Sequence, residues 1–373
     1  MKILAFNWQD IKNPFGGGAE VHFHEIFERV AAQGHEIDFY CCGHPDLPSE
    51  ENINGINVFR RGKRETFNYL VPKLYKNAVK KKGYDIVIDD INKIPFYTPL
   101  YVKEPILCIS HHFFGKSIFR ETNPIFGSYV YLAEKLMPVI YNNSHFAVVS
   151  ESTKNDFQER GFNTSSYTII ENAIDQSSFP MSISKKNDEF TISYFGRLKK
   201  YKSVQHLITA FALLNKDFKD IRLEILGKGD YRGSLESLVK ELKISDKVTF
   251  HGFVSDKMKI ELLSSSHLMV NPSMKEGWGI TNIEANACGT PVIAANVPGL
   301  KDSVSDGISG LLYEYGNIDA LAAILKDLYL NPKKIEELSS GAIDWAKQFS
   351  WDISADKMIT KMKQVINLNR KGI

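Results

Sequence analysis

Four side chains in this sequence have types and spacings suited to chemistry: the carboxylates Glu276 and Glu284, eight residues apart, and the cations Arg197 and Lys202, five apart. Glu276 falls in the turn-rich loop 272–279, after the short apolar run His267 to Asn271, and Glu284 in the helix-forming stretch that Gly289 ends. Both acids therefore lie near the end of a parallel strand and at a helix N-terminus, where open α/β sheets take ligands and backbone amides attract anions. Spacing alone permits a general acid/base pair. It equally permits holding roles, because one carboxylate accepts two hydroxyl hydrogen bonds, as a ribose presents. Arg197 supplies a fork of donors and Lys202 a point charge, a pair suited to a diphosphate and to the charge that grows as a phosphate ester leaves. Two exposed cations at a helix start are the alternative, although that position opposes the helix dipole unless an anion offsets it.

The first half of the chain carries further candidates. Gly16, Gly17 and Gly18 open the first helix after the buried-strand pattern Ile3 to Phe6, and glycines there let the backbone approach a phosphate. Val21 stands where the dinucleotide fingerprint needs glycine, so the loop is either a phosphate contact or a plain turn. Asp89 and Asp90 end one strand pattern and His111-His112 end another. The acids could bind an acceptor or cap the following turn. Adjacent residues project differently, so one histidine rather than both is expected toward a site. No further acid or His completes a metal-binding set, and no metal is expected. Residues 60–82 hold Arg60, Arg61, Lys63, Arg64, Lys73, Lys76 and Lys80 to Lys82 against the single acid Glu65. This basic face is either a solvated helix surface or a rest for anionic lipid or a phosphate-bearing acceptor. The aromatic-rich stretch from Phe113 to Tyr131 is read as mostly core, with any exposed part adding to a membrane-resting surface.

These residues need scaffolds. Strand, turn and helix patterns alternate through residues 1–173 and again through 190–351, so the fold class expected is α/β with two doubly wound parallel sheets. Residues 174–189 are polar, lack periodicity and contain Pro180, and are read as the linker. Trp351 to Leu368 is expected to be an amphipathic helix with Ile353, Met358, Ile359, Met362 and Ile366 on its apolar side. A chain of 373 residues, 43% hydrophobic, fills two domains, and a net charge of +2 argues against a nucleic-acid partner. The start Met-Lys-Ile-Leu shows no leader, no run of about 18 apolar residues is present, and the four cysteines have no metal-ligand spacing. A cytoplasmic protein is expected, peripheral at the inner membrane face if the basic face meets lipid.

The motifs together resemble glycosyltransferase family 4, retaining enzymes of the GT-B fold, over essentially the whole length. The resemblance rests on Gly17-Gly18-Ala19-Glu20, Gly196-Arg197-Leu198 with Lys202, His251-Gly252-Phe253-Val254, Asn271-Pro272-Ser273, and Glu276-Gly-Trp-Gly-Ile-Thr-Asn-Ile-Glu284 with the following Ala285 to Val292. It implies two Rossmann-like domains facing across a cleft, with 352–373 returning as a helix to the first. It implies that Arg197 and Lys202 bind the donor diphosphate and stabilise the departing nucleoside diphosphate. Glu284 holds the ribose; Glu276 and the backbone of Gly277, Trp278, Gly279 and Ile280 hold the transferred sugar; Phe253 and Val254 meet the base; Gly17 and Gly18 close over the phosphate. The family's cleft histidine, which the resemblance counts as catalytic with Arg197, Lys202 and Glu276, maps to His111, with His112 second. Asn286 departs from the larger apolar residue common there.

The activity expected is transfer of a sugar from a UDP- or GDP-sugar to an acceptor hydroxyl with retention, without a metal or other cofactor. The acceptor favoured is lipid-linked or glycan, on the first domain, where Asp89, Asp90 and His112 are candidates. A sugar-nucleotide epimerase or phosphorylase of the same fold, and a non-catalytic nucleotide-sugar-binding protein, are the alternatives.

Overall fold

The computed structural model describes residues 1–92, 94–120, 122–162 and 167–370. The chain divides into two compact units, Met1–Asn172 with Trp351–Ile373, and Ala173–Ser350.

The first unit is built on β1 (Lys2–Phe6), β2 (Glu36–Cys41), β3 (Glu50–Ile53), β4 (Ile56–Arg60), β5 (Ile86–Ile91), β6 (Ile106–Ser110), β7 (His145–Val148) and β8 (Tyr167–Ile169), with helices α1 (Gly18–Ala32), α2 (Phe67–Lys81), α3 (Pro124–Ile140) and α4 (Glu151–Glu159). The sheet order is β3-β4-β2-β1-β5-β6-β7-β8. Every pair is parallel except β3–β4, a hairpin closed by Asn54 and Gly55, both at positive φ as a two-residue turn requires. The central strand β1 is apolar on both faces past Lys2, as a strand covered on two sides must be, and Phe23 of α1 stacks on Phe27 and packs tilted against Phe39.

The second unit contains β9 (Phe190–Phe195), β10 (Ile221–Leu226), β11 (Val248–Gly252), β12 (Leu268–Asn271), β13 (Val292–Ala295) and β14 (Gly310–Tyr313), all parallel, in the order β11-β10-β9-β12-β13-β14. Helices α5 (Val204–Asp217), α6 (Arg232–Glu241), α7 (Asp256–Ser265), α8 (Ile280–Ala287), α9 (Leu300–Ser303), α10 (Ile318–Leu330) and α11 (Pro332–Ala346) cover it. The strand order reverses between β9 and β12, the switch point at which such sheets take ligands.

α12 (Trp351–Arg370) packs in the first unit, where Arg29 Nε donates to Asp352 at 2.8 Å and Ser354 Oγ to the Glu171 carbonyl at 3.0 Å. Met358, Ile359, Met362 and Ile366 are buried as expected, whereas Ile353 is exposed and Val365 takes the inward place. The inward stripe, set by Trp351, Ala355, Met358, Met362 and Val365, leaves Ile353 outside its arc. Residues 371–373 of the expected returning helix lie outside the described residues.

The stretch 174–189 is fastened along the second unit instead of crossing freely. Met181 N donates to the Ala287 carbonyl at 2.9 Å, and Lys186 Nζ donates to the Ser264 and Gly289 carbonyls and to Thr290 Oγ1. A polar, aperiodic sequence marks the absence of a helix or strand, and carbonyls at the ends of α7 and α8 give such a segment partners.

The run 60–82 also does not form one basic face. Arg60 points inward from β4 and ion-pairs with Asp10, with side-chain exposures of 1% and 0%. Arg61 pairs with Glu50, and Lys82 with Glu36 and Asp38. Acids distant in sequence neutralise them, and Lys73, Lys76 and Lys80 remain exposed on α2.

Candidate active site

In the second unit every strand is parallel, so all the βα loops that carry the motifs leave from one edge of the sheet. The loop after β9 holds Arg197 and Lys202, and the loop after β12 holds Glu276, so cations and acid flank the switch point. Backbone bonds lock the loops together: Leu198 N to the Lys228 carbonyl at 2.8 Å, Gly227 N to Gly252 at 2.8 Å, and Met274 N to Tyr201 at 2.9 Å. Gly227 is needed for this closeness, since a Cβ there would stand 1.9 Å from the Gly196 carbonyl oxygen at a φ of +136°. Arg197 is exposed, its carbonyl receiving Tyr194 Oη at 3.0 Å. Lys202 Nζ hydrogen-bonds Glu276 Oε1, with side-chain exposures of 14% and 17%. The carboxylate thereby pre-sets the ammonium and retains a second oxygen for a ligand.

The Glu276 loop ends in Gly279, at φ +97°, from which α8 starts without a side-chain cap. The Asn282 amide bonds back to the Gly279 carbonyl at 2.9 Å, and the amides of Ile280 and Thr281 at the helix start are the ones that can meet an anion or a hydroxyl-bearing ligand. The Trp278 indole does not line this loop. It is buried edge-on against Phe349, 4.9 Å between ring centres, so among ligand contacts Trp278 can offer its backbone only. Phe253 is 76% exposed and lies beneath the Lys228 ammonium, presenting a ring face on which a base could stack. Ile280 and Val254 are half-buried.

Glu284 sits in α8 on a residue that motif reading passed over. Lys259 of α7 donates to Glu284 Oε1 at 2.7 Å and approaches Asp256 at 3.1 Å, while its ammonium lies over the Phe195 and Phe179 rings. Burial pushes the Glu284 carboxyl above its ordinary value, and Lys259 works against that. Burial works to lower the Lys259 ammonium, and Glu284 and Asp256 more than offset it, so it is raised. A lysine among the apolar positions of α7 is the one sequence signal that could have revealed the pair. Asn286, the departure from the family pattern, is buried and donates to the Thr290 and Ser309 carbonyls.

In the first unit the strand order reverses between β1 and β5, and polar residues meet there. Asn7 Nδ2, just past β1, donates to Asp90 Oδ2 at 2.8 Å, and His111 Nε2 lies 3.4 Å from Asp90 Oδ1. Glu20 accepts from Gly17 N at 2.7 Å and from Asn92 Nδ2 at 2.7 Å, tying the glycine loop to the end of β5. Gly17 thus enters α1 with its amide held by the Glu20 side chain, and Gly18 is the first residue of the helix. His22, whose ring packs edge-on 5.0 Å from His111, is pushed down to about 3 by burial and by the neighbouring His111, so it is neutral. Sequence reading missed Asn7 and His22; neither belongs to a charged or glycine pattern.

The two aspartates separate. Strand alternation puts Asp89 on the opposite face from Asp90, where it is fully buried and accepts from Thr98 Oγ1 and from Tyr141 Oη. Burial pushes Asp89 up to about 6, the two hydroxyls opposing the rise. Asp89 is thus built into the core, its Oδ2 taken by two hydroxyls, on the face away from the His111 cluster. Asp90 is also raised by burial, with His111 opposing, but it stays within the His111 cluster. The histidines diverge as well: His111 turns to Asp90, and the half-buried His112 packs edge-on against Phe114, 5.0 Å between ring centres.

Residues 16–178 match the family model described as Glycosyltransferase Family 4, and residues 175–345 the model described as Glycosyl transferases group 1. An uncharacterized glycosyltransferase of Methanocaldococcus jannaschii is 27% identical over 97% of this chain and 98% of its own length. Sucrose-phosphate synthase from Thermosynechococcus elongatus shares the fold with a TM-score of 0.80, at 21% identity, over 98% of this chain and 99% of that one. Anabaena HepE, solved in complex with UDP, does so with a TM-score of 0.75, at 19% identity, over 98% and 100%. With its first half matched by one glycosyltransferase model, its second half by another and the fold shared from end to end, the chain belongs to the glycosyltransferases of the GT-B fold.

Proposed function

We propose that the protein moves a sugar from a UDP- or GDP-sugar to an acceptor hydroxyl with retention of configuration, in envelope-glycan, lipid-linked glycan or glycoconjugate synthesis. One observation carries the reading: Arg197, the Lys202–Glu276 pair and the Lys259–Glu284 pair gather on the sheet edge beside the switch point of the second unit. Cations there meet a diphosphate, and the second carboxylate oxygens meet hydroxyls of ribose and sugar. UDP in the HepE complex favours a uridine donor, and the exposed Phe253 ring suits either base.

In this mechanism the bond from the anomeric carbon to the diphosphate oxygen breaks while the bond to the acceptor oxygen forms on the same face. The acceptor proton passes to the departing phosphate oxygen. Arg197 and Lys202 take up the charge on the nucleoside diphosphate, so the leaving group is assigned to side chains and not to a metal. Glu276 positions the sugar and Lys202 together, and Glu284 the ribose. On the acceptor side we assign the polar cluster of His111, Asp90 and Asn7 to hydroxyl recognition. The reaction is placed in the cytoplasm, a reducing compartment that suits the four buried free cysteines.

Calorimetry against a panel of UDP- and GDP-sugars, followed by nucleoside diphosphate release with candidate acceptors, tests the reading. Donor binding together with acceptor-dependent release is expected. Absence of binding to every nucleotide sugar and to UDP and GDP would sink it, and donor turnover without acceptor would point to epimerisation.

A further inference from the structure

One exposed face of α3 is apolar from end to end, with the exposed Ser128 and Lys135 on its flank. Ile125, Tyr129, Leu132, Leu136 and Val139 recur at helical spacing and are exposed, Ile125 by 82%, Leu132 by 60% and Val139 by 80%. Phe126 beside them is 58% exposed. A soluble helix buries such a stripe; here the helix already buries a different one, with Ala133, Glu134 and Met137 inward. The neighbouring helix α2 presents a stripe of another kind. Tyr69, Lys73, Lys76 and Lys80 follow the same spacing on its exposed side. The two stripes touch, because Tyr69 Oη and Tyr129 Oη are hydrogen-bonded at 2.7 Å and Asn68 Nδ2 donates to Tyr129 Oη at 2.9 Å.

Charge names the occupant. α2 contains no acid, and α3 contains one, Glu134, which is buried and accepts the amides of Phe114 and Gly115. Lys135 adds an exposed cation on α3, and at the C-terminal end of the helix Lys103 and Glu104, a pair of opposite charges, line a cavity with Val139. A contiguous apolar strip with an acid-free lysine stripe along one side is complementary to a surface that is apolar within and anionic outside. A second copy docked about a twofold axis would oppose lysines to lysines or leave them uncovered.

We propose that α3 is a membrane-insertion helix, its apolar stripe entering an anionic bilayer at the level of the headgroups while Lys73, Lys76 and Lys80 of α2 rest on the phosphates. The side chains involved lie on α2 and α3, outside the ion pairs that neutralise Arg60, Arg61 and Lys82. The surface stands apart from the sugar-transfer reading and holds whether the acceptor is a lipid or not.

Flotation of the full-length protein with phosphatidylcholine vesicles, with and without phosphatidylglycerol, and with no donor or acceptor present, reads this surface directly. Binding to the anionic vesicles that weakens with salt is expected. Each lysine at an anionic surface contributes roughly a fivefold factor, so Lys73→Ala/Lys76→Ala should weaken binding about 30-fold. Leu132→Asp/Leu136→Asp should abolish it with an unchanged melting temperature, since both leucines are solvent-exposed. Failure of the wild-type protein to float, equal flotation with both vesicle types, or wild-type binding by the leucine variant would each overturn the proposal. So would a concentration-dependent dimer that the leucine variant abolishes, which would assign the stripe to a second copy. Donor binding measured on the same variants stays unchanged, so a failure here is distinguishable from a failure of the sugar-transfer reading.

Discussion

Replacing Lys259 by Met separates what holds Glu284 from what Glu284 holds. The wild-type pair is only 11% and 14% exposed at its side chains, and the ammonium lies 5.3 Å and 5.6 Å from the Phe195 and Phe179 ring centres. Met keeps the apolar stem and those ring contacts but removes the counter-ion, leaving a carboxylate in a nearly dry setting. A fully dry unpaired charge costs about 3–5 kcal/mol. The residual exposure here argues for about 2–3 kcal/mol, which is roughly 30- to 160-fold faster exchange for amides that open with the whole unit. Hydrogen exchange across β9 and β12 reads the second unit by itself, which a single melting curve of a two-unit chain does not.

The pH dependence gives a sharper check. Burial already raises Glu284 above its ordinary value of 4.5, so the folded unit holds this proton more tightly than the unfolded chain and loses stability as pH rises through that window. Without Lys259 the folded value climbs further. The deficit of Lys259→Met should therefore be full at neutral pH and shrink as pH falls toward the ordinary carboxylate value. Adding Glu284→Gln should recover most of the stability at neutral pH, because no buried charge is then left alone. A deficit independent of pH, or a double variant as unstable as the sum of the singles, would refute the pairing argument.

Lys202→Ala should lower turnover by about 10²- to 10³-fold with the fold intact, the range seen when one charge-stabilising group is removed, and near wild-type transfer would remove it from the phosphate role; Arg197→Ala is expected to behave alike. Arg60→Leu should cost the first unit about 3–5 kcal/mol by stranding Asp10, measured as exchange across β1 and β2. Burial works to raise Asp10, and the bonds from Arg60 more than offset this, so its carboxyl is lowered; the wild-type contribution is present above the ordinary 3.8 and is lost as pH falls through the folded value. Gly227→Ala should cost at least about 3 kcal/mol and abolish donor binding by calorimetry, because its Cβ would overlap the Gly196 carbonyl. Asp89→Asn should leave transfer intact, since its amide oxygen can still accept from Thr98 and Tyr141; loss of acceptor affinity alone would return Asp89 to the acceptor site.

Local pattern carried most of the architecture. Alternating apolar strands, glycine stops and helical spacing are short-range properties, so the sequence by itself determined the two βα series, the loop that delivers Glu276 and the glycine entry to α1. Motif spacing likewise brought out Arg197, Lys202, Glu276 and Glu284, because each lies a fixed few residues past a strand end. What only the tertiary structure decided is which partners those residues meet. Glu50 and Asp10 neutralise Arg61 and Arg60, Lys259 reaches Glu284 from another helix, and Asp89 meets Thr98 and Tyr141 while Asp90 meets Asn7. The direction of an apolar run is set the same way: Trp278 turns into the core while Leu132 and Val139 stay in solvent. Charge pairing and burial depend on groups brought close by the whole fold, and no window of neighbouring residues contains that information.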